Sequence, residues 1–395
     1  MKILYIANGS GLGTAKSGGM TRNIEISKRL LKKGVMISYL TTSGSHVNYL
    51  EEGLKATFYL ARASLFYSKE RNQFDRFISY VISTIHSLFM ILKLPSFDIL
   101  YSTSDYFCDV VPSFFYKLRF RKSIWIAMIH HLCRSPLKRK GNFFTNLFSY
   151  FSQRLSFVLI AFLADAVFVY NTPEGKNISS FFPSLNKKHQ IYFVNNGIDI
   201  NTINKVPKGK VKFDACFVGG LRASKGIFDI VKIWKLVKQS NQNATLAIAG
   251  GGTPEILKSL TNIIVNEGLE NNIVLLGPLK QNKMYQLMKS SKIFVSTSHE
   301  EGWGIALCEA LACRLPAVAY KLPAFKIYSS AILMVDIEDY KAFAKNIFGL
   351  LSNGKQRQCL AKRGSELVQQ YEWESIANSE MNYYRGLYSY ASKQK

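Results

Sequence analysis

Short runs of β-branched and aromatic residues, each leading through a turn into an amphipathic helix, recur along this chain. That alternation constrains the fold more than any other feature. ILYIA (3–7) leads into the loop NGSGLGTAKSGG, then the helical pattern TRNIEISKRLLKKG closed by Gly34, then VMISYLT. Strand, helix and strand in this order make a βαβ unit, which implies a parallel sheet. Further strand-like runs stand at 98–102, 124–129, 166–170 and 191–194. A second series begins with FDACFVGG (213–220) and the helical pattern SKGIFDIVKIWKLVKQ, and continues through TLAIAGGG, NIVLLG, KIFVSTS and PAVAY. The expected fold class is α/β with two Rossmann-like domains, since 395 residues exceed one ordinary core. The polar, turn-rich segment NNGIDINTINKVPKGK (195–210) places the join, giving domains at 1–195 and 196–374.

The net charge of +25 points to anionic partners. Six scattered cysteines without a C-x-x-C pair argue against a disulfide framework or a zinc knuckle and for reduced thiols. MKILYIANGSG reads as a first strand rather than a signal peptide. The longest apolar stretch, 155–170, is interrupted by Asp165, so no membrane-spanning helix is expected. Between Asp109 and Asp165 there is no acidic residue, but there are nine cations: Lys117, Arg119, Arg121, Lys122, Arg134, Lys138, Arg139, Lys140 and Arg154. Interleaved with them are Phe114, Phe115, Phe120, Phe143, Phe144, Phe148, Phe151 and Phe157. This alternation suits a surface against anionic lipid; the plainer reading is core aromatics and solvated charges. No nucleic-acid-binding motif accompanies the basic charge, so nucleic acid is not an expected partner.

The chemistry concentrates in HEEGWGIALCEALACRLPAVAY (299–320). Gly302 and Gly304 let backbone N–H groups approach a ligand closely before a helix that starts near Gly304–Ile305. Glu301 falls in the loop and Glu309 in the first turns of the helix. Acidic residues matched to the helix dipole account for Glu300 and Glu301. They account poorly for Glu309, which sits in an apolar run with no evident partner. Two carboxylates beside exposed N–H groups suit a ligand bearing hydroxyls and phosphates. VGGLRASKG (218–226) puts Arg222 and Lys225 in a strand-to-helix turn, where they could clamp a diphosphate or form a solvated basic loop. Gly11-x-Gly13 completes no dinucleotide fingerprint and reads as a turn. IWIAMIHHLCRSP ends a strand in His130 and His131, the end at which α/β sheets bind ligands.

EGWGIALCEALA resembles the E-x7-E signature of retaining glycosyltransferases of family 4, which have the GT-B fold of two Rossmann-like domains facing across a cleft. SGGMTRNIEISKRLLKKG, ADAVFVYNTPEGKNI, VNNGID, FVGGLRASKG and ATLAIAGGG agree with that family in order and spacing. The resemblance implies a metal-independent, retaining transfer of a sugar from a nucleotide diphosphate donor, UDP- or GDP-linked, to a glycan hydroxyl, with no further cofactor. It implies a lipid-linked acceptor and a peripheral, cytoplasmic place on the inner face of the cell membrane. Glu309 would hold the donor ribose. Glu301 and the N–H groups of Gly302, Trp303, Gly304 and Ile305 would face sugar and diphosphate. Arg222 and Lys225 would neutralise the leaving group, Gly18 and Gly19 would let a loop pass the diphosphate, and His130, with His131 the alternative, would position the sugar. The N-terminal domain would bind acceptor and the C-terminal one donor, with the last helix (375–395) packing back on the first domain. Two departures stand out: Gly220 where the family often has arginine, and Arg314 where it usually has glycine. A sugar-nucleotide epimerase or hydrolase, and a non-catalytic partner in glycan assembly, are the alternative functions.

Overall fold

A computed structural model describes residues 1–9, 17–63, 73–139 and 142–393. Gly11, Gly13 and Lys140 lie outside the described residues. The chain divides into two compact units, 1–196 together with 373–395, and 197–372.

The first unit holds a seven-stranded parallel sheet in the order β3-β2-β1-β4-β5-β6-β7. Its strands are β1 (Lys2–Ala7), β2 (Met36–Thr42), β3 (Thr57–Ala61), β4 (Ile99–Ser102), β5 (Ile124–Ile129), β6 (Ala166–Tyr170) and β7 (Ile191–Val194). Every residue of β4, β5 and β6 is buried, as continuous apolar runs in a parallel sheet covered on both faces should be. The second unit repeats the plan with six strands, β10-β9-β8-β11-β12-β13. These are β8 (Phe213–Val218), β9 (Leu246–Ala249), β10 (Ile273–Gly277), β11 (Ser291–Ser296), β12 (Ala317–Tyr320) and β13 (Ile332–Val335). Both are Rossmann-like sheets, and each reverses strand order once, between β1 and β4 and between β8 and β11. Such a switch point opens a crevice at the carboxyl ends of the strands.

The helices that carry the site and its surroundings are α1 (Gly18–Lys32), α2 (Gln73–Ile91), α3 (Phe107–Arg119), α4 (Phe143–Leu163), α5 (Ile227–Ser240), α6 (Gln281–Lys289), α7 (Ile305–Ala312) and α8 (Trp373–Lys393). α8 belongs to the first unit and is tied to α1 by a buried ion pair between Arg22 and Glu380, each 1% exposed. Tyr384 donates to the second oxygen of Glu380 at 2.9 Å.

Several expectations are corrected. β3 and β13 were not anticipated, and the turn-rich join contains a helical turn, Ile200–Lys205. The apolar stretch near 155–170 is not one segment. Asp165 follows the end of α4 and accepts from Lys117 Nζ at 2.6 Å and from the Trp125 N–H at 2.7 Å. The apolar run extends instead toward the N-terminus, so α4, with 21 residues, is long and apolar enough by length and composition to cross a membrane. Of the interleaved aromatics, Phe157 is core, whereas Phe115, Phe143, Phe144, Phe148 and Phe151 are exposed.

Candidate active site

In the second unit the switch point joins two loops. Thr297, just past β11, donates its hydroxyl to the carbonyls of Lys225 (3.1 Å) and Gly226 (2.9 Å). The His299 N–H donates to the Ser224 carbonyl at 2.9 Å. Only glycine fits at 226: its φ is +65°, and a Cβ there would stand 1.9 Å from the Thr297 carbonyl oxygen. The helical pattern read from residue 224 therefore begins as a short 3-10 turn, Ala223–Lys225, ahead of α5.

This clamp brings Lys225 and Glu301 together, although 76 residues separate them. Lys225 Nζ donates to Glu301 Oε1, which also accepts from Ser298 Oγ at 3.0 Å. The two side chains are 18% and 19% exposed. Arg222 stands at the start of the turn that holds Lys225. It is exposed, and its guanidinium runs along Gly220, 3.6–3.9 Å from where a Cβ would sit.

Gly304 has φ +88°, and a Cβ there would come within 2.5 Å of the Phe325 ring, so core packing alone requires glycine. Trp303 is buried, edge-on to Tyr328 and Tyr371, so its indole serves the core and only its backbone N–H remains for a ligand. Ile305 opens α7, whose first-turn N–H groups have no partner within the helix.

Glu309 sits in the second turn of α7 and is buried. The expectation that it lacks a partner is overturned: the Tyr285 hydroxyl, from α6, donates to its Oε1 at 2.9 Å. Burial still dominates and pushes the Glu309 carboxyl up to about 7, with the Tyr285 hydrogen bond opposing it. His299 pairs through Nε2 with Asp229 Oδ2 at 2.6 Å, and the hydroxyls of Tyr320 and Tyr340 also donate to Asp229, which makes His299 part of a buried structural cluster. Arg314 closes α7 in the left-handed region at φ +58°. Its N–H donates to Leu311 and that of Leu315 to Ala310, the Schellman pattern that favours glycine.

In the first unit β5 delivers His130. Its Nε2 lies 2.8 Å from the Thr103 carbonyl oxygen, which can only accept, so Nε2 carries the proton. Nδ1 then accepts from the Tyr170 hydroxyl at 3.0 Å, and Tyr170 in turn accepts from Asn196 at 3.2 Å. Burial pushes His130 down to about 4, so the ring is neutral at physiological pH and both nitrogens are engaged. A Cβ on Gly19 would stand 3.0 Å from His130 Nε2, so Gly19 makes room for the imidazole. Gly18 is exposed at the start of α1, where Ser17 Oγ accepts from the Met20 N–H at 3.1 Å. The His131 carbonyl accepts from Gln153 Nε2 at 2.8 Å.

Sequence reasoning missed Asp109. This buried carboxylate accepts from the N–H groups of Asn8 (2.6 Å) and Gly9 (2.9 Å), and from the hydroxyls of Ser104 (2.6 Å) and Thr103 (3.1 Å). It fastens the loop after β1 to the loop after β4. Its place in the first turn of an otherwise apolar helix was the available signal.

The family model for glycosyl transferases group 1 matches residues 199–367, inside the second unit. That match takes in 169 of the 395 residues, so it is the second unit that resembles the group 1 glycosyltransferases. The chain is 26% identical over 207 residues to a phosphatidyl-myo-inositol mannosyltransferase of Mycobacterium leprae, covering 50% of this chain and 54% of that protein. It is 19% identical over 266 residues to the GDP-mannose:cellobiosyl-diphosphopolyprenol alpha-mannosyltransferase of Xanthomonas oryzae, covering 66% and 70%. The chain spans about half the length of the first curated relatives it matches. Among solved structures, Anabaena HepE in complex with UDP and glucose superposes with a TM-score of 0.74 at 17% identity, over 97% of this chain and 99% of that one. That likeness establishes a GT-B-type fold for the chain.

Proposed function

We propose that this protein is a glycosyltransferase that moves a sugar, with retention, from a nucleoside diphosphate donor to a hydroxyl of a lipid-linked glycan at the inner face of the membrane. The observation that carries the reading is the juxtaposition at the second sheet's switch point, inside the segment that matches the family. There an ammonium (Lys225), a carboxylate held beside it (Glu301), a helix N-terminus (Ile305) and a buried carboxylate (Glu309) meet the chemical needs of a nucleotide sugar. In this reading the N–H groups of Gly302–Ile305 and Lys225 take the diphosphate, and Glu309 accepts from the ribose hydroxyls. Charge grows on the diphosphate as the glycosyl bond breaks, so a fixed ammonium stabilises the transition state more than the bound donor. Lys225 supplies that charge without a metal, while Arg222 adds a weaker, more solvated one. His130, which the resemblance would have orient the sugar, is neutral and engaged at both nitrogens, so it does not serve as a base. The leaving phosphate would accept the acceptor's proton.

The names of the mannosyltransferases similar to this chain, one acting on phosphatidyl-myo-inositol and one on a diphosphopolyprenol, support a lipid-linked acceptor. The test is calorimetric titration with UDP- and GDP-sugars, followed by NMR of the product's anomeric configuration with a lipid-linked acceptor. Donor binding and a product of unchanged configuration are expected. Turnover of donor to an epimer or free sugar, with no acceptor product, would instead mean an epimerase or hydrolase. Absence of donor binding would overturn the enzymatic reading.

A further inference from the structure

On one face of the first unit's sheet, α2, α3 and α4 pack as neighbours in the order given, with their C-terminal ends together. Near one end Phe148 meets Phe77 (4.6 Å between centroids) and Phe107 (5.7 Å). At the other, Arg119 donates to the Ile91 carbonyl, and Lys117 pairs with Asp165 just past α4. The outward surface of this layer is apolar. Along α4, Phe144, Phe148, Phe151, Leu155, Val158 and Phe162 follow one another at spacings of four and three, and are 41–76% exposed. α2 adds Ile78, Ile85 and Phe89, with Leu92 just past its end, and α3 adds Phe115 and Leu118. Apolar exposure on this scale across adjacent helices marks a contact surface.

Charge decides what covers it. From Phe77 through the end of α2, and from Val110 through the end of α4, there is no acidic residue, and Asp109 is buried and fully engaged. The exposed cations gather where the helices end: Lys93, Arg119, Arg121 and Lys122. The last three line a cavity of about 370 Å³ beside Tyr388, where they outnumber one acid, Asp98, whose Oδ2 accepts from the Lys2 N–H at 2.7 Å. Helix C-termini favour cations in any case, and Arg119 caps α2 in that way. Arg121 and Lys122 lie beyond α3 and close no helix. A second copy of this chain would bring the same excess of cations to this surface. An anionic bilayer offers apolar depth and negative charge together.

We propose that the α2–α3–α4 face seats the protein on an anionic lipid bilayer, with the α2 and α4 side chains in the interfacial layer and lipid phosphate at the Arg119–Lys122 cavity. The surface is wider than the 114–154 stretch that the sequence singles out, because it also takes in α2 and the last turns of α4, with Leu155, Val158 and Phe162. The proposal deepens the lipid-linked reading of the acceptor and rests on it for its purpose, so its test uses neither donor nor acceptor. The full chain is floated with phosphatidylcholine vesicles and with vesicles that also contain phosphatidylglycerol. Wild type should float with the anionic vesicles and not with the neutral ones. The variant F144S/F151S/F162S should lose about tenfold or more of that binding. R121Q/K122Q should keep a weaker association that fails at lower salt than wild type. All substituted positions are exposed, and circular dichroism checks the fold. Wild type ignoring anionic vesicles, or both variants floating as wild type does, overturns the proposal. A concentration-dependent dimer, dispersed by F144S/F151S/F162S while vesicle binding stays unchanged, would assign the face to self-association instead. Donor titration of the same variants separates the two ideas: intact donor binding with lost flotation supports the surface without touching the transferase reading.

Discussion

Replacing Glu309 with glutamine should make the protein more stable at pH 8 while weakening its hold on a nucleotide sugar. Burial lifts this carboxyl from its ordinary 4.5 to about 7. In the unfolded chain the group ionises near 4.5, so between that value and about 7 the folded protein holds a proton that the unfolded chain has lost. Its contribution to stability is therefore intact below about pH 4.5 and declines as the pH rises through 7. Above that, confining the ionised carboxylate costs about 3 kcal/mol. Glutamine can still accept from Tyr285 and carries no charge, so it removes the cost. For a unit of this size that corresponds to a rise in Tm of about 6–12 °C at pH 8, with little change at pH 4.5. The glutamine should also lose about 1.5–3 kcal/mol of donor affinity, because an ionised acceptor to the ribose hydroxyls is gone. Thermal unfolding followed by circular dichroism across this pH range, with calorimetric donor titration at pH 8, reads both effects. An equal Tm change at both ends of the range would show that the carboxylate is not desolvated, and unchanged donor affinity would remove Glu309 from the ribose site.

Lys225→Ala should lower kcat by about a hundredfold, and by more than it raises donor KM, whereas Arg222→Ala should do less; steady-state kinetics on folded mutants checks the ranking, and an Arg222 defect as large as that of Lys225 would move the phosphate clamp to the guanidinium. Gly226→Ala should destabilise the second unit by about 3 kcal/mol or more, because the new methyl meets the Thr297 carbonyl and the backbone is left-handed; urea unfolding measures it. Arg314→Gly should stabilise by about 0.5–1 kcal/mol, since Arg314 holds φ +58° at the end of α7; an unchanged or lower midpoint would mean that the arginine side chain offsets the strain.

The two sheets were readable because IWIAMI, AVFVY and LAIA are continuous apolar runs between turn residues, the pattern that parallel strands impose. β3 escaped because it is an edge strand with Thr57 and Leu60 exposed, so neither alternation nor a full apolar run marks it. β13 is four residues long and offers no period. Within the site, the residue types and the glycine turns were visible, but the partnerships were not. Tyr285 stands 24 residues before Glu309 on a different helix, and nothing local announces that its hydroxyl will reach the carboxylate. The pinning of His130 likewise depends on Thr103 and Tyr170, brought beside it from β4 and β6 by strand order. The exposed stripe of α4 had a legible period of four and three, but Asp165 drew the eye to the wrong window.

α8 returns to the first unit after the second is finished, and this has a consequence for synthesis. The N–H of Ile198 donates to the Tyr371 carbonyl at 2.8 Å, so the outgoing and returning chain lie side by side and the second unit is an insertion closed at its own base. As the chain leaves the ribosome, residues 197–372 can reach their native contacts before the first unit can. Until Glu380 emerges, Arg22 has no counter-ion for the buried place it will occupy. The first unit is therefore completed only when residues 373–395 are made. Its apolar α2–α3–α4 layer is available to a membrane or a chaperone during that interval.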